Sequence, residues 1–482
     1  MRRLSSLDSS FLRVETPTAH MHVGWLALVN LPPGVESLDV EALRLTVTRR
    51  LHHAPRFRQR VRSAPLGEPF LRDDPDFDVA GHITESPRRV MPARELREAC
   101  NRFLSEQLDR ERPLWQILVV PRVDERRAAI IGKVHHALVD GVAAVELGTL
   151  LFDVDPGEAA DEPPPWEPEH VPSPARFALD VVADSAVEQF RSARRVMGVG
   201  MSPRRTLRAA ETMRRAALSL AEEVIQPAPE SFLNRPIGPE RALVTRSVPI
   251  KRLDAIKQPL GLKLNDVVLA LASGALRRFA AVAEREPVPL RAMVPVNVRG
   301  AADAPSEGNR IAFGFVDLPL DEPDPLRRVK LIRWQTERLR RPDAVVGRDA
   351  LLRSVGMLPG PLRTQAARFA ASSRTFNLTI SNIVGPQVAL YAAGGRVEEI
   401  YPVIPLSDAH ALAVGVLSYG GYLHFALHVA PRSLLEAEEL PGLIGTSLSE
   451  LERALPATRA SRAPRPRPQR QPGSARSAPA SR

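Results

Sequence analysis

The hydrophobic positions of this chain follow two spacings, which alternate along its length. Short apolar runs predict buried strands at 23–30, 116–120 and 127–132. Apolar residues three or four positions apart predict helices from Leu38 to Leu51 and from Arg94 to Asp109. Only a short polar turn separates the apolar runs 116–120 and 127–132, so these two strands are predicted to pair as a hairpin.

The middle of the chain has a different composition. Residues 153–174 are rich in proline and acidic side chains, which is typical of an extended linker. From about 175 to 225, arginine-rich and alanine-rich positions alternate at helical spacing. This stretch is predicted to be a helical crossover, with a basic face that is solvated or meets an anionic lipid surface.

The second half again mixes strands and helices. A strand is predicted from Ala242 to Ile250, and a helix follows from Leu264 to Leu276 with Asn265 as its N-cap. A later helix is predicted to run from Asp324, as cap, to Arg340. Near the end, Gly420-Gly421 separates two apolar runs and predicts a closing hairpin.

These patterns predict an α+β fold of two domains, with mixed sheets and flanking helices. The first domain is expected at 1–155, the linker and crossover at 156–229, the second domain at 230–456 and a disordered basic tail at 457–482. A chain of 482 residues is long enough for two cores.

The net charge of +10 suggests nucleic-acid binding at first sight, but it is unevenly distributed. The tail holds seven arginines and no acid, which leaves only +3 for the rest of the chain. Aromatic residues make up 5% of the sequence, too few for base-stacking surfaces. Nucleic acid is therefore not an expected partner.

The chain contains one cysteine, Cys100, so an intramolecular disulfide is impossible and a cysteine-rich zinc site is excluded. No run of 18 apolar residues and no secretory signal are apparent. We expect a cytoplasmic protein that contacts membranes or lipid inclusions only peripherally. The oligomeric state cannot be predicted.

The segment Lys133-Val-His-His-Ala-Leu-Val-Asp-Gly141 carries the strongest chemical signal. A strand brings His135 and His136 into a tight turn, which Asp140 and Gly141 close. Adjacent side chains of an extended strand point to opposite sides, so only one imidazole can face a given cavity. Histidine is the usual side chain for removing a proton near neutral pH. A surface loop with two ordinary histidines is the alternative.

Two other patterns are given less weight. His52-His53 forms a second pair, but it lies at a helix end before Pro55 and lacks the Asp-Gly. The acidic turn Asp73–Asp78 is more typical of a solvated loop than of a metal site. A metal-dependent hydrolase using His135, His136 and Asp140 is disfavoured, because adjacent histidines are poorly placed to bind one ion.

The motif and the segments that accompany it resemble a known family. His135-His-Ala-Leu-Val-Asp-Gly141 matches the His-His-x-x-x-Asp-Gly motif of the chloramphenicol-acetyltransferase-like superfamily, which includes condensation domains. More specifically, the chain resembles the bacterial wax ester synthase/acyl-CoA:diacylglycerol acyltransferase family. The accompanying segments are Leu4-Ser-x-x-Asp8-x-x-Phe11-Leu12, Met21-His-Val-Gly24, Pro113-Leu-Trp115, Pro236-Ile-Gly-Pro239, Asn265-Asp266, Pro295-Val-Asn-Val-Arg299 and Ser381-Asn-Ile-Val-Gly-Pro386. Ile383-Val384 departs from the pattern, where a proline before the glycine is expected.

The resemblance implies two chloramphenicol-acetyltransferase-like domains with the active site in a tunnel between them. It implies transfer of a fatty acyl group from acyl-CoA, a substrate rather than a cofactor, to diacylglycerol or a long-chain fatty alcohol. By similarity His136 is the general base, and no covalent acyl-enzyme forms. His135 positions the loop. Asp140 orients the turn, with Arg299 as a candidate partner.

Several points stay open at this level. Asn265 and Asp266 are candidate substrate contacts, although Asn265 also has a purely structural explanation as a helix cap. Another alcohol or amine acceptor on the same fold is an alternative, and so is an inactive lipid-associated protein. The arginines of the tail are expected either to attract an anionic membrane surface or to be passive.

Overall fold

The computed structural model describes residues 2–63, 68–139, 147–156, 162–168, 226–297, 311–341 and 360–455. The predictions for Asp140, Gly141, Arg299, the basic tail and most of the helical crossover lie outside these residues. Within the linker, 162–168 has no helix or strand and is largely exposed, as an extended segment should be.

Residues 147–151 of the first half are helical, and its other described residues form three α-helices and seven strands. They are β1 (Arg2–Arg3), α1 (Ser6–Val14), β2 (His22–Asn30), α2 (Val40–Arg50), β3 (Gln59–Arg62), β4 (Phe70–Asp73), β5 (Ile83–Glu85), α3 (Ala93–Ser105), β6 (Trp115–Val120) and β7 (Arg127–His135). The predicted strands, both helices and the β6–β7 hairpin are confirmed.

The second half contains five further helices and eight strands among its described residues. They are β8 (Ala242–Pro249), α4 (Ile250–Leu260), α5 (Leu264–Val282), β9 (Leu290–Asn297), β10 (Ile311–Leu318), α6 (Pro325–Leu339), α7 (Gly360–Ala370), β11 (Leu378–Val384), β12 (Tyr391–Ala392), β13 (Gly395–Val403), β14 (Leu412–Tyr419), β15 (Tyr422–Val429) and α8 (Leu440–Ala454).

One six-stranded sheet, in the order β12-β13-β2-β7-β6-β5, carries the histidine pair. Strand β7 lies between β2 and β6 and is buried along nearly its whole length, because its two faces belong to two different hydrophobic clusters. Trp25 pairs with Gly132 across β2 and β7. A Cβ on Gly132 would lie 2.0 Å from the Trp25 ring, so only glycine fits there.

The other six-stranded sheet has the order β10-β9-β11-β14-β15-β8. Strand β11 runs parallel to both neighbours while the remaining pairs are antiparallel, so this sheet is mixed, as predicted. The β14–β15 hairpin is confirmed, with Gly420 and Gly421 at φ of 58° and 83°. These left-handed conformations favour glycine at both turn positions.

Of the two helix caps predicted in the second half, one is confirmed and one is wrong. Asp324 caps α6, with its side chain accepting the Leu326 N–H, as predicted. The prediction of Asn265 as the cap of α5 is wrong. Lys263 occupies that position, and the carboxylate of Asp266 accepts the Lys263 backbone N–H at 2.9 Å. The helix therefore begins one residue before Asn265.

Residues of the second half also complete the first sheet. Strand β13 pairs antiparallel with β2, with Ile400 opposite Ala27 and Tyr401 opposite Leu26. A hydrophobic cluster joins the halves as well, since Phe103 of α3 and Ile131 of β7 belong to the same cluster as Ala426 of β15. The predicted boundaries at 155 and 230 stay predictions, and the backbone pairing crosses them.

Candidate active site

The histidine pair lies where β7 ends. His135 is the last residue of the strand, and His136 begins a 3-10 turn that ends at Leu138. The backbone N–H of His135 donates to Leu114 O, and that of His136 donates to Met21 O, both at 2.9 Å. Met21 has a φ of 51°, which is rare for a residue with a side chain. The turn is thus held from two neighbouring segments.

His135 is fully buried, and its two ring nitrogens face different groups. Its Nδ1 accepts the backbone N–H of Ala137 at 3.1 Å, so the ring proton of the neutral imidazole is on Nε2. That Nε2 lies 3.7 Å from a carboxylate oxygen of Glu15. Burial, and secondarily the charge of Arg110, lower the pKa of His135 to about 3. This imidazole is neutral and its tautomer is fixed.

Glu15 is held in place by a cation. Arg110 donates to its carboxylate, and the Glu15 side chain is 8% exposed. Glu15 directly follows α1, and its backbone N–H bonds to Phe11 O. Sequence reasoning missed both Glu15 and Arg110, because they lie far from the motif in the chain.

His136 points elsewhere, because the chain leaves the extended strand at His135 and enters the 3-10 turn at His136. Its ring stacks on Phe11, with ring centroids 3.8 Å apart and an interplanar angle of 11°. The side chain is half-buried. Among the described residues, its buried Nδ1 has no hydrogen-bond partner. Burial lowers the pKa of His136 to about 4, so the imidazole is neutral at pH 7 and can accept a proton.

Helix α1 therefore braces both histidines. Phe11 and Glu15 are four residues apart, which places them on the same side of the helix. One packs on His136 and the other faces His135. Phe11 belongs to a segment that carried the family resemblance, but its stacking role was not predicted.

Further buried basic groups surround His135. His22 pairs with it across β2 and β7, with ring centroids 6.2 Å apart. Burial, and then the neighbouring His135, lower the pKa of His22. Lys133 is fully buried and donates to Phe103 O at 2.7 Å and Glu106 O at 2.8 Å. Burial lowers its pKa to about 8, so most of the lysine is still charged at pH 7.

The second half contributes two more buried basic groups, Arg241 beside His20 and His22, and His428 beside His20. Arg241 is 3% exposed and donates to the Gly238, Glu240 and Thr18 carbonyls. Burial lowers its pKa to about 10, so it too is charged. Burial, followed by the nearby Arg241, lowers the pKa of His428 to about 3. The charge of Arg241 therefore acts on His20, His22 and His428, whereas the charge that acts on His135 is that of Arg110.

Asn265 and Asp266 are placed differently. The Asp266 carboxylate is 2% exposed and accepts from Thr336 Oγ1 and the Arg340 guanidinium, each at 2.7 Å. With the Lys263 N–H, these donors tie the start of α5 to the end of α6. This favours a structural role for Asp266. The suggestion that Asn265 or Asp266 touches substrate stays a prediction.

No cysteine nucleophile competes with the histidines. Cys100 is buried in α3, and burial raises the pKa of its thiol to about 12. His52 and His53 lie in a 3-10 turn after α2, where His52 Nδ1 contacts Arg49 O. Within the described ranges, no group of three or more His, Cys, Asp or Glu side chains is arranged to hold a metal ion. In the acidic turn, Asp74 and Asp76 pair with Arg60.

Comparison with known proteins gives consistent matches over both halves. The family model of the wax ester synthase/diacylglycerol acyltransferase catalytic domain matches residues 4–268, and that of the C-terminal domain matches 307–452. A Mycobacterium tuberculosis protein named probable diacylglycerol O-acyltransferase tgs2 is 31% identical over 465 residues, which are 93% of this chain and 98% of the relative.

Solved structures agree with these matches. The wax ester synthase/diacylglycerol acyltransferase from Marinobacter aquaeolei VT8 is 26% identical, with a TM-score of 0.63 over 94% of this chain and 100% of that one. The first condensation domain of the calcium-dependent antibiotic synthetase is 16% identical, with a TM-score of 0.58 over 94% and 96% of the two chains. The predicted chloramphenicol-acetyltransferase-like fold is therefore confirmed.

Among the described helices, no single one is long and apolar enough to cross a bilayer. Helices α4 and α5 pass that test only as a pair bent by 106°, and most of α5 is buried in the core of the second sheet.

Proposed function

Because the chain belongs to the wax ester synthase/diacylglycerol acyltransferase family and is an O-acyltransferase, we propose that it moves a fatty acyl group from acyl-CoA to diacylglycerol, with His136 as the general base. Triacylglycerol and free CoA are the products. Transfer to a long-chain fatty alcohol, giving a wax ester, is proposed as a second activity, because the Marinobacter protein carries both names.

The proposed reaction has two proton transfers at one imidazole. His136 takes the proton of the acceptor hydroxyl as that oxygen attacks the thioester carbonyl of acyl-CoA. The tetrahedral intermediate collapses, the carbon–sulfur bond breaks, and the imidazolium returns the proton to the departing thiolate. The enzyme forms no covalent bond to the acyl group. The high thiol pKa of Cys100 supports this absence of a cysteine intermediate.

The observation that carries the proposal is the state of His136. It is a neutral, half-buried imidazole, fixed by the ring of Phe11 and by its backbone bond to Met21 O. A fixed, neutral base needs no reorganisation before it accepts a proton. His135 has its Nδ1 engaged by the turn, so the same role is not open to that nitrogen.

The electrostatic surroundings support the same chemistry. A negative charge develops on the carbonyl oxygen when the acceptor attacks, and fixed positive charges within a poorly solvated site stabilise such charge. Lys133 and Arg241 supply fixed charges beside His22, the residue that pairs with His135 across the sheet. We assign them this supporting electrostatic role and no contact with substrate.

The proposed setting is peripheral to a membrane or lipid inclusion in the cytoplasm, since the acceptors are insoluble in water. No nucleic acid, metal or organic cofactor is part of the proposal. Acyl-CoA enters as a substrate.

The test is a product analysis with one labelled acyl-CoA and an equimolar mixture of diacylglycerol, hexadecanol and a primary amine. We expect labelled triacylglycerol, with wax ester as the second product. His136→Ala should abolish both products. His52→Ala, in the second histidine pair, is the matched control and should keep wild-type rates.

Other results would contradict the proposal. Amide as the main product would assign a different acceptor to the same fold. No turnover of acyl-CoA by folded wild-type protein would favour an inactive lipid-associated protein. Full activity of folded His136→Ala would remove the proposed base.

A further inference from the structure

Helix α6 has an exposed face that is separate from the histidine site. Its buried side chains are Arg328, Val329, Ile332, Thr336 and Leu339. On the opposite side, steps of four, three and four residues connect the exposed side chains Arg327, Leu331, Trp334 and Arg338. That spacing places all four in a single stripe along the helix.

The centre of this stripe is apolar. Leu331 is 46% exposed and Trp334 is 58% exposed. Trp115, in contrast, is buried at 2%. Single exposed apolar residues are ordinary, but a tryptophan and a leucine three positions apart form a continuous ridge. Tryptophan is the side chain most enriched at the boundary between water and lipid.

The rim of the ridge is basic. Arg327 and Arg338 lie at its two ends, exposed Lys330 lies beside it, and Arg341 follows just beyond the helix. The Arg338 guanidinium is 4.7 Å from the Trp334 ring centroid. Three acids lie at the N-terminal end of the helix, namely the exposed Asp321 and Asp324 and the half-buried Glu322, and the exposed Glu337 lies near the other end.

These acids reduce the positive charge only in part. Glu322 lies 3.5 Å from Arg327, and Glu337 is paired with Arg333 at 2.7 Å. Lys330, Arg338 and Arg341 therefore stay as an excess of positive charge around the two apolar side chains. A second copy of this face would meet it with the same charge, which disfavours a contact between copies.

We propose that this α6 face docks the enzyme on an anionic lipid surface, with Trp334 and Leu331 inserted among the acyl chains and the cations on the head groups. An apolar ridge with basic flanks is the pattern of helices that lie in a membrane interface. Each cation near an anionic bilayer contributes about 1 kcal/mol, which is about fivefold in affinity. The proposal deepens the proposed function, because it names the surface through which an enzyme with insoluble acceptors reaches them.

The experiment uses the full chain and vesicles of phosphatidylcholine, with and without one third phosphatidylglycerol. Binding is measured by co-sedimentation at low and high salt. An apolar variant, Leu331→Ser with Trp334→Ser, should bind the anionic vesicles at least tenfold more weakly. A charge variant, Lys330→Gln with Arg338→Gln, should lose about fivefold per cation at low salt. Leu45→Ser is the control, because Leu45 is a 51% exposed leucine on α2.

A second readout reports on Trp334 itself, so that binding through the basic tail cannot hide the result. Vesicles with brominated acyl chains should quench part of the tryptophan emission of the wild type. Trp334→Phe keeps an aromatic ring at the position and should abolish that part of the quenching. Equal quenching in the two proteins, or equal vesicle binding by the apolar variant and Leu45→Ser, would overturn the proposal. A change in oligomeric state of the apolar variant without lipid would assign the face to a protein contact instead.

Failure of the proposed function would look different. With acyl-CoA and a short, water-soluble alcohol, the apolar variant should turn over at the wild-type rate. If the wild type itself shows no turnover with any acceptor, the acyl-transfer proposal fails, while the vesicle result still decides the docking surface.

Discussion

A carboxylate oxygen of Glu15 lies 3.7 Å from Nε2 of His135, and both side chains are buried. The other ring nitrogen of His135 accepts the Ala137 N–H of the turn that carries His136. Glu15 thus favours the one tautomer of His135 that can hold the turn. Its role is to position the base, since it touches a neighbour of His136 rather than His136 itself.

We therefore expect Glu15→Gln to lower kcat about 10- to 100-fold, because a small displacement of a catalytic group costs that much. The KM for acyl-CoA should change less than twofold, since no substrate contact is removed. Steady-state kinetics on the folded variant measure both. Glu15→Asp should recover part of the loss. Wild-type kcat in Glu15→Gln would show that the carboxylate does not position the turn.

The two histidines should fail in different ways. His136→Ala is expected to lower the rate about 10²–10⁴-fold, which is the range for loss of a general base, with little change in stability. His135→Ala leaves the buried Ala137 N–H without an acceptor, at a cost of about 1–3 kcal/mol, and should lower Tm with a smaller loss of rate. Thermal unfolding beside single-turnover rates separates the two. The same profile in both variants would contradict the assigned roles.

On the acid side, activity should be lost at an unusually low pH. His136 must be unprotonated to act as base, and its pKa is lowered to about 4 by burial. Activity is lost as pH falls through that pKa, so kcat/KM should be level from pH 7 to about pH 5 and fall near 4. Circular dichroism at each pH separates protonation of the base from acid unfolding. An acid limb centred near 6.5 would mean that His136 in the free enzyme is solvated.

Stability should respond to acid at a higher pH than activity does. Seven histidines are at most 6% exposed and have lowered pKa values, namely His20, His22, His82, His135, His410, His424 and His428. In the unfolded chain each has a pKa near 6.5. Below that pH the unfolded state binds protons that the folded state does not, so stability is lost as pH falls from about 6.5 toward 4.

Each such histidine contributes a slope of up to about 1.4 kcal/mol per pH unit. The urea midpoint should be constant above about pH 7.5 and should fall steadily between 6.5 and 5. His428→Gln removes one of the protons that the unfolded state binds, so the urea midpoint of this variant should fall less steeply with decreasing pH. A midpoint that does not change down to pH 5 would mean that these histidines are protonated in the folded protein.

A variant of Asp266 can distinguish a structural role of this residue from a contact with substrate. Asp266→Asn weakens the charge-assisted bonds to Arg340 and Thr336, at a cost of about 1.5–3 kcal/mol. If the residue is structural, Tm falls and KM stays within about twofold of wild type. A raised KM at unchanged Tm would move Asp266 into the substrate site. Asp324→Asn, at the cap of α6, is the matched control for a change at the end of a helix.

Much of the fold could be predicted from hydrophobic spacing, because strands and helices here follow their own periodicities closely. The β6–β7 and β14–β15 hairpins could be predicted because the paired strands are adjacent in sequence. The pairing of β13 with β2 could not be predicted. Strand β13 has the pattern of any buried strand, and the pattern does not encode which edge it joins.

The candidate site divides in the same way. The histidine pair lies in a contiguous motif, so residue type and spacing point to it. Glu15 and Arg110 act across a fold that brings distant segments together, and single acids and arginines are common in this chain. The prediction of the α5 cap was wrong because residue type alone favours Asn265 as a cap. In the structure the Asp266 carboxylate accepts the Lys263 N–H and stabilises Lys263 as the cap.

The pairing of β13 with β2 also determines when the first sheet can be completed during synthesis of the chain. Strand β2 leaves the ribosome early, but one of its edges has no partner until residue 403 has been synthesised. An unpaired edge between His22 and Asn30 is a site for association with other chains. The nascent first half therefore carries that unpaired edge through most of translation. A chain truncated anywhere before Gly395 would carry the exposed edge permanently.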